Sequence, residues 1–249
     1  MAPGSSLGGA RPKASVRDKD ASLLVAKFPA KTDEVNVVRW EALALSLARR
    51  AGIVVPDWRL ESVADRDVLL LRRFDRSGKV RIPFLSALSM LGAADRETRS
   101  YLEIADALRM HGAAVSEDLP ALWRRVVFNV LIANTDDHLR NHGFLYTGPD
   151  GWRLSPAYDL NPVPVDIKPR VLSTAISLDN DPTASLELAL EVARDFALSG
   201  RDAIAVAGAV GQAVARWRDE AAALGIRPSE VERMSSAFEH SDLEAALGA

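Results

Sequence analysis

The sequence predicts an α+β fold in which a small, strand-containing first part precedes a mostly helical second part. Two compact apolar runs, at residues 22–28 and 67–74, have the length and composition of β-strands. Between them, residues 37–49 repeat apolar side chains at helical spacing. Helical patterns dominate the rest of the chain. We therefore expect one unit over residues 1–80 and another over residues 81–249, either as two lobes that share a cleft or as one α+β domain.

The remaining elements are predicted from helix stops and turn residues. Gly52 is placed to end the first helix, and Gly112 to end a second helix over residues 99–110. A Gly-Pro-Asp-Gly turn predicts a β-hairpin over residues 144–154. Further helices are predicted over residues 121–133, 184–199, 201–223 and 228–239.

The composition is that of an ordinary globular protein and excludes several classes. Of the 249 residues, 48% are hydrophobic and 26% are charged, and the net charge of −3 provides no basic field for direct nucleic-acid binding. No cysteine is present, which excludes disulfides and favours a reducing, cytoplasmic location. No apolar run approaches the ~18 residues of a membrane span, so no membrane partner is expected.

The segment that carries most chemistry is the polar loop at residues 134–143. Asp136 and Asn141 have the spacing found in kinase catalytic loops, where an Asp accepts the proton of the substrate hydroxyl and an Asn binds magnesium. The following hairpin returns the chain to Asp159, a second hard oxygen ligand suited to Mg²⁺. Taken alone, an Asp and an Asn in a loop are more often turn formers.

Three further features occur in the order that a kinase requires. A loop of small residues at 8–13 can offer successive backbone N–H groups to an anion, with Lys13 adding charge. Lys27 interrupts an apolar strand, and Glu41 lies beside the apolar stripe of the next helix, which is the order of the kinase Lys–Glu ion pair. Taken singly, the loop fits a flexible tail, Lys27 a solvated strand edge and Glu41 a solvated helix face. The order of all three together is hard to obtain by chance.

Four longer segments resemble the signature segments of the HipA family of bacterial serine/threonine kinases. They read SLGGARPKAS at 6–15, RFDR at 73–76, NTDDHLRNHGF at 134–144 and LSPAYDL at 154–160. The resemblance implies a protein-kinase-like, two-lobed fold with a catalytic loop at 134–143 and a metal segment at 154–160. It also implies ATP and Mg²⁺ as cofactors.

The resemblance assigns a role to each matching position. Asp136 would be the catalytic base, and Asn141 and Asp159 would hold magnesium. Ser6, with Ser5 beside it as an alternative, would be a self-phosphorylated residue. The remaining nucleotide-binding positions would be Gly8, Gly9, Ala10, Arg11, Lys13, Lys27, Arg72, Phe74, His138 and Tyr158.

The resemblance also implies partners. Family members are typically the toxin of a toxin–antitoxin pair, with a helix-turn-helix antitoxin as partner and a protein substrate such as an aminoacyl-tRNA synthetase. They usually carry an N-terminal subdomain ahead of the small-residue loop, whereas this sequence begins shortly before that loop. The alternatives are a fragment, a mis-assigned start, a degraded copy, or a form in which a separate protein supplies the subdomain.

Two alternatives to an active kinase remain. One is a pseudokinase that binds nucleotide or antitoxin without catalysis. The other is a metallohydrolase, because His138 and His142 lie four residues apart beside Asp136 and Asp137, a grouping suggestive of zinc.

Overall fold

The first part of the chain is built on a four-stranded antiparallel sheet. The computed structural model describes residues 11–94, 97–179 and 181–248. The strands lie in the order β1-β2-β4-β3, so β2 pairs with β4 and the connection from β2 to β3 is a crossover. Their bounds are Lys13–Arg17 for β1, Leu23–Lys27 for β2, Trp58–Val63 for β3 and Arg66–Arg72 for β4.

The two faces of this sheet have different neighbours because side chains alternate along each strand. On one face, Lys13, Lys27, Leu69 and Leu60 form a row of opposed residues across the four strands. Leu69 and its neighbours on this face pack into the main hydrophobic core. The other face carries a separate small apolar cluster, whose buried members are Leu24, Ala26, Val68 and Leu70.

Helix α1, Val37–Arg50, covers the core-facing side of the sheet. Asn36 caps its start, because the Asn36 side chain accepts a hydrogen bond from the backbone N–H of Arg39. The helix ends at Arg50, and Gly52, two residues further on, has a φ of 74° that suits glycine and fits the predicted stop. One buried charge, Glu41, lies within the otherwise apolar face of this helix.

The second part is mostly helical and surrounds α4, Val115–Leu131. Trp123 in α4 is fully buried and donates a hydrogen bond from Nε1 to the carbonyl of Ala189 over 2.7 Å. The other helices are α2 Ala87–Met90, α3 Tyr101–His111, α5 Leu186–Glu191, α6 Gly200–Val214, α7 Trp217–Ala223, α8 Pro228–Arg233 and α9 Ser241–Leu247.

Short strands connect the two parts and carry the polar loop. Strands β5 (Arg76–Ser77) and β6 (Val80–Arg81) form a small hairpin of their own. Strands β7 (Phe84–Ser86), β8 (Gly143–Tyr146) and β9 (Trp152–Leu154) form a three-stranded antiparallel sheet. The polar loop therefore lies between the end of α4 and the start of β8. No helix in the described part of the chain is long and apolar enough to cross a membrane.

The structure corrects several predicted boundaries. The helix expected over 121–133 begins at Val115, because buried neighbours such as Leu119 hold the first turns although Pro120 removes one backbone donor. The helix expected over 201–223 is two helices, α6 and α7. Lys13, expected in a loop, begins strand β1 because its backbone pairs with that of Lys27. Strands β1, β3, β5, β6 and β7 and helices α2 and α9 were not predicted.

Candidate functional site

Lys27 lies between two carboxylates that come from distant parts of the sequence. Its Nζ is 2.5 Å from Glu41 Oε1 and 2.5 Å from Asp159 Oδ1. The Lys27 and Glu41 side chains are 12% and 5% exposed, and Asp159 is 28% exposed. The sequence predicted a cationic partner for Glu41 one element upstream, and Lys27 occupies that position.

The pKa values of these groups reflect burial and mutual attraction. Burial opposes the charge of Lys27, but Glu41 and Asp159 outweigh it and raise the pKa of Lys27. Burial raises the pKa of Glu41, and Lys27 offsets only part of that shift. Burial also opposes the charge of Asp159, yet attraction to Lys27 lowers its pKa overall. The cluster therefore holds one fixed cation and at least one fixed anion at neutral pH.

A second lysine faces the same cluster. Lys13 lies directly opposite Lys27 across β1 and β2, so both side chains project from the same face of the sheet. Burial lowers the pKa of Lys13, and the charge of Lys27 lowers it further against the pull of Asp159. Two like charges side by side, one of them compensated by carboxylates, form a site that favours an added anion. Arg11 is instead ion-paired with Asp33 over 2.8 Å.

The polar loop places its two adjacent aspartates in opposite environments. Asp136 is exposed, whereas Asp137 is only 2% exposed. Three donors surround Asp137 Oδ2: Tyr101 Oη at 2.5 Å, Asn129 Nδ2 at 2.7 Å and His142 Nε2 at 2.6 Å. These three hydrogen bonds to the buried Asp137 therefore fix the loop to the helical part of the chain. The sequence alone does not predict this role for Asp137, because its only signal is the need of a buried carboxylate for hydrogen-bond partners.

Asn141 lies in a short 3₁₀ turn, Leu139–Asn141, and is largely buried. Its Nδ2 donates to the backbone carbonyl of Asp136 over 3.3 Å, which links the two residues predicted to act together. This bond uses the amide nitrogen and fixes the side chain, whose oxygen is the atom that a hard cation would require.

The segment that carries Asp159 is held to the loop and to the buried side of α4. The backbone N–H of Ser155 donates to the carbonyl of Gly143 over 2.8 Å. The carbonyl of Ser155 accepts a hydrogen bond from the buried Arg125, whose pKa burial lowers to about 10. Asp159 has a φ of 58°, an uncommon backbone conformation for a residue other than glycine. Such a conformation persists where surrounding contacts fix it, which is typical of functional sites.

Aromatic rings line one side of the site. Phe74 and Tyr158, both predicted to contact nucleotide, lie 5.7 Å apart between ring centroids. Phe84, which the sequence analysis missed, contacts both, at 6.1 Å from Phe74 and 6.4 Å from Tyr158. Tyr158 Oη donates to the backbone carbonyl of Arg140 over 2.7 Å. The three rings are tilted against one another by 33° to 57°, and an individual ring face is an apolar surface of the kind on which a base can stack.

Of two further predicted nucleotide-binding residues, Arg72 points away from the cluster and His138 lies near it. The Arg72 side chain projects from the sheet face opposite Lys27, and its guanidinium lies 3.8 Å from Asp20. The structure therefore does not bring the Arg72 side chain to the cluster. His138 is close enough to Asp159 to help lower its pKa, and its Nδ1 is buried without a hydrogen-bond partner among the described residues.

A cavity of about 410 Å³ lies beside the loop. His138 and Arg140 from the loop form one wall, and Glu97, Thr98 and Ser173 contribute further polar groups. The exposed Asp136 lies on the same short segment. Ser5, Ser6, Gly8, Gly9 and Ala10 lie outside the described residues.

The donor set fits magnesium better than zinc. Asn141 and Asp159 supply hard oxygens, and Mg²⁺ is normally held by one or two such protein ligands together with phosphate oxygens and water. His142, which the zinc alternative requires, instead bonds to Asp137 in the buried network. Within residues 11–94, 97–179 and 181–248, no three His, Asp or Glu side chains are grouped to hold a metal ion.

Solved kinase-related structures share this fold. The HipA chain in a complex of Shewanella oneidensis MR-1 HipA, HipB and operator DNA matches with a TM-score of 0.71 and 16% identity, over 99% of this chain and 65% of that chain. The Helicobacter pylori proinflammatory kinase CtkA matches with a TM-score of 0.64 and 16% identity, over 97% of this chain and 89% of that chain. At this identity the likeness shows the fold alone.

Sequence relatives point the same way. A Sinorhizobium fredii protein named "Putative kinase Y4dM" is 29% identical over 161 residues, which cover 59% of this chain and 36% of the relative. A Haemophilus influenzae protein named "Putative kinase" is 24% identical over 55% of this chain and 43% of its own length. The matched region thus spans less than half of each of these relatives. The family model for the HipA-like C-terminal domain matches residues 5–234, and the chain therefore belongs to the HipA-like C-terminal domain family.

Proposed function

We propose that this chain is an ATP- and Mg²⁺-dependent kinase that phosphorylates a serine or threonine hydroxyl of a protein. The observation that carries the proposal is the contact of Lys27 with both Glu41 and Asp159. In protein kinases a strand lysine paired with a helix glutamate and an aspartate that binds magnesium must both be in place for phosphoryl transfer. Membership of the HipA-like family and the kinase-related fold support the same conclusion.

The cation cluster suits the triphosphate. Lys27 and Lys13 would offset the charge of the phosphates, and the loop at residues 8–13 would cover them. Magnesium, when bound, would neutralise charge that develops on the transferring group, with Asn141 and Asp159 as its protein ligands. The base of the nucleotide would lie against the aromatic surface formed by Phe74, Phe84 and Tyr158.

Asp136 suits the role of base because it is exposed on a loop that is otherwise fixed. In the proposed reaction, the substrate hydroxyl oxygen bonds to the γ-phosphorus as the bond to the β-phosphate oxygen breaks. ADP leaves, and the hydroxyl proton passes to the Asp136 carboxylate. Asn141, bonded to the Asp136 backbone, keeps this residue at a fixed distance from the metal ligands.

The biological setting is also a proposal. A toxin–antitoxin role with a helix-turn-helix antitoxin is supported by the structural neighbour that was solved with HipB and operator DNA. The net charge of −3 argues against direct DNA contact by this chain. The proposal also includes an aminoacyl-tRNA synthetase as substrate, Ser6 as a self-phosphorylation site and a cytoplasmic location.

A transfer assay with γ-labelled ATP tests the proposed function. Asp136→Ala should lower transfer to a protein substrate or to the chain itself by about 10²–10⁴-fold, the usual contribution of a positioned base. Asp150→Ala, at an exposed position on the neighbouring hairpin, is the matched control and should leave transfer unchanged. Asp159→Ala should additionally abolish the Mg²⁺-dependent rise in melting temperature that ATP produces.

Two outcomes would redirect the interpretation. Full transfer by Asp136→Ala would show that another group acts as the base. Nucleotide binding that depends on Asp159, without any transfer by the unaltered chain, would favour the pseudokinase alternative.

A further inference from the structure

The helix that carries Glu41 is fixed to the C-terminal helices as well as to the sheet. Trp40, the residue before Glu41, is fully packed against Trp217 and Phe238, with ring centroids 6.4 and 6.1 Å away. Trp217 and Phe238 stack on each other at 4.6 Å with an interplanar angle of 7°. All three rings are at most 2% exposed. The orientation of α1 at Glu41 is therefore set by residues almost two hundred positions later in the chain.

Polar contacts repeat this attachment in the second half of α1. Ser46 Oγ donates to Glu220 Oε2 over 2.6 Å, and Arg50 Nη2 lies 2.6 Å from Glu220 Oε1. Glu220 is itself buried. A buried carboxylate that serves two residues of one helix restricts both sliding and rotation of that helix.

The start of α1 is attached on two sides. Arg39 contacts Asp67 of β4 through Nε over 2.7 Å and donates from Nη1 to the carbonyl of Gly225. The backbone N–H of Asn36 donates to Glu230 Oε2 over 2.8 Å. Attachments to the C-terminal helices thus run from the cap of α1 to its last residue.

We propose that these C-terminal residues are positioning residues for the phosphoryl-transfer site, because they hold Glu41 against Lys27. We call them the α1 brace: Trp217, Glu220, Gly225, Glu230 and Phe238. In protein kinases, control is commonly exercised through the position of the corresponding helix. Here the brace fixes that helix in the ion-paired position, so α1 does not act as the regulatory switch. The claim that the brace affects phosphoryl transfer rests on the proposed function, whereas the claim that it holds α1 in position does not.

The test measures the environment of Lys27 independently of catalysis. Trp217→Leu removes the ring stack, and Glu220→Ala removes both polar contacts in the second half of α1. Each variant is treated with a limiting amount of an amine-acetylating reagent, and acetylation of Lys27 is quantified by peptide mass spectrometry. The exposed Lys31 serves as the internal reference. The Lys27 side chain is only 12% exposed while Glu41 is held against it, so displacement of Glu41 should expose the amine and raise its acetylation several-fold relative to Lys31.

The matched control is Asp242→Ala. Asp242 is bonded to Arg170 over 2.7 Å and to the backbone N–H of Leu186 over 2.8 Å, and none of these partners belongs to α1. This variant loses a comparable pair of contacts without releasing the helix, so its Lys27 acetylation and its transfer rate should equal those of the unaltered chain.

Faster acetylation of Lys27 in each brace variant that folds, together with a lower kcat for any phosphoryl transfer, is the expected result. Acetylation of Lys27 in folded Glu220→Ala at the rate of Asp242→Ala would overturn the proposal, even if Trp217→Leu fails to fold. If the unaltered chain transfers no phosphate, the proposed function fails, but the acetylation result still decides whether the brace holds α1.

Discussion

Replacing Lys27 by methionine should destabilise the folded chain, mainly because the buried carboxylate of Glu41 loses its cation. Methionine keeps an unbranched apolar stem of similar length but leaves two carboxylates without their shared cation. Asp159 is 28% exposed and can be hydrated, whereas Glu41 is 5% exposed and cannot. Removing one partner of a buried ion pair costs about 3–5 kcal/mol. We expect about 3 kcal/mol here, because Lys13 on the neighbouring strand remains nearby and Glu41 can bind a proton.

The pH dependence of the stability of Lys27→Met should show that the buried Glu41 causes the loss of stability. The pKa of Glu41 is already raised above its usual 4.5 by burial, and loss of Lys27 raises it further. A raised pKa in the folded state contributes stability that is present below the unfolded-state value and is lost as pH rises through the folded-state value. The deficit of Lys27→Met should therefore be smaller at pH 5 than at pH 8. Urea unfolding at both pH values measures it.

The controls for this experiment are a double variant and a distant lysine. Adding Glu41→Gln to Lys27→Met removes the buried charge and should restore much of the lost stability at pH 8. Lys31→Met, at an exposed position, should change stability by less than about 0.5 kcal/mol. If Lys27→Met proves as stable as Lys31→Met, or if the double variant is no better than the single one, the buried charge is not what Lys27 compensates.

Three further predictions concern residues around the site and the C-terminus. Burial lowers the pKa of His240 to about 4 from 6.5, so its neutral ring contributes stability that is lost as pH falls from 6.5 towards 4. This loss amounts to roughly 2–3 kcal/mol of unfolding free energy. His240→Asn, which can still cap α9, should remove most of this pH dependence in acid titrations followed by circular dichroism. A Cβ at Gly143 would lie 2.3 Å from Phe84 Cε2, so Gly143→Ala should cost about 1–3 kcal/mol in urea unfolding, partly restored by adding Phe84→Ala. Tyr101→Phe removes one donor from the buried Asp137 and should lower the denaturation midpoint by an amount equivalent to about 1–3 kcal/mol, with no change expected from Tyr146→Phe at an exposed position.

Local sequence patterns predicted the parts of the site that lie within single elements. Lys27 stands out because a charge interrupts an apolar strand, and Glu41 because it accompanies an apolar helical stripe. Both signals come from neighbouring residues, so they can be recognised without knowledge of the fold. The pairing of Glu41 with a lysine one element upstream could be expected for the same reason.

The parts that the sequence did not predict depend on distant contacts. Asp136 and Asp137 are identical neighbours, and contacts such as that of Asp137 with Tyr101, 36 positions upstream, determine which one is buried. The side-chain direction of Arg72 follows from strand register, which pairs it with Leu24 and turns it away from Lys27. The contact of Trp217 with Trp40 requires the chain to return over the first helix, and no local pattern encodes that return.

The buried hydrogen-bond network around Asp137 fixes the polar loop, whereas the neighbouring Asp136 is exposed. Tyr101, Asn129 and His142 all form hydrogen bonds with the Asp137 carboxylate and not with Asp136. A substitution at position 136 should therefore leave each of these bonds intact. An Asp136→Asn chain should therefore keep the shape of the native loop while lacking its carboxylate. Under the proposed kinase function, such a chain would serve as a bait with which to capture the substrate protein.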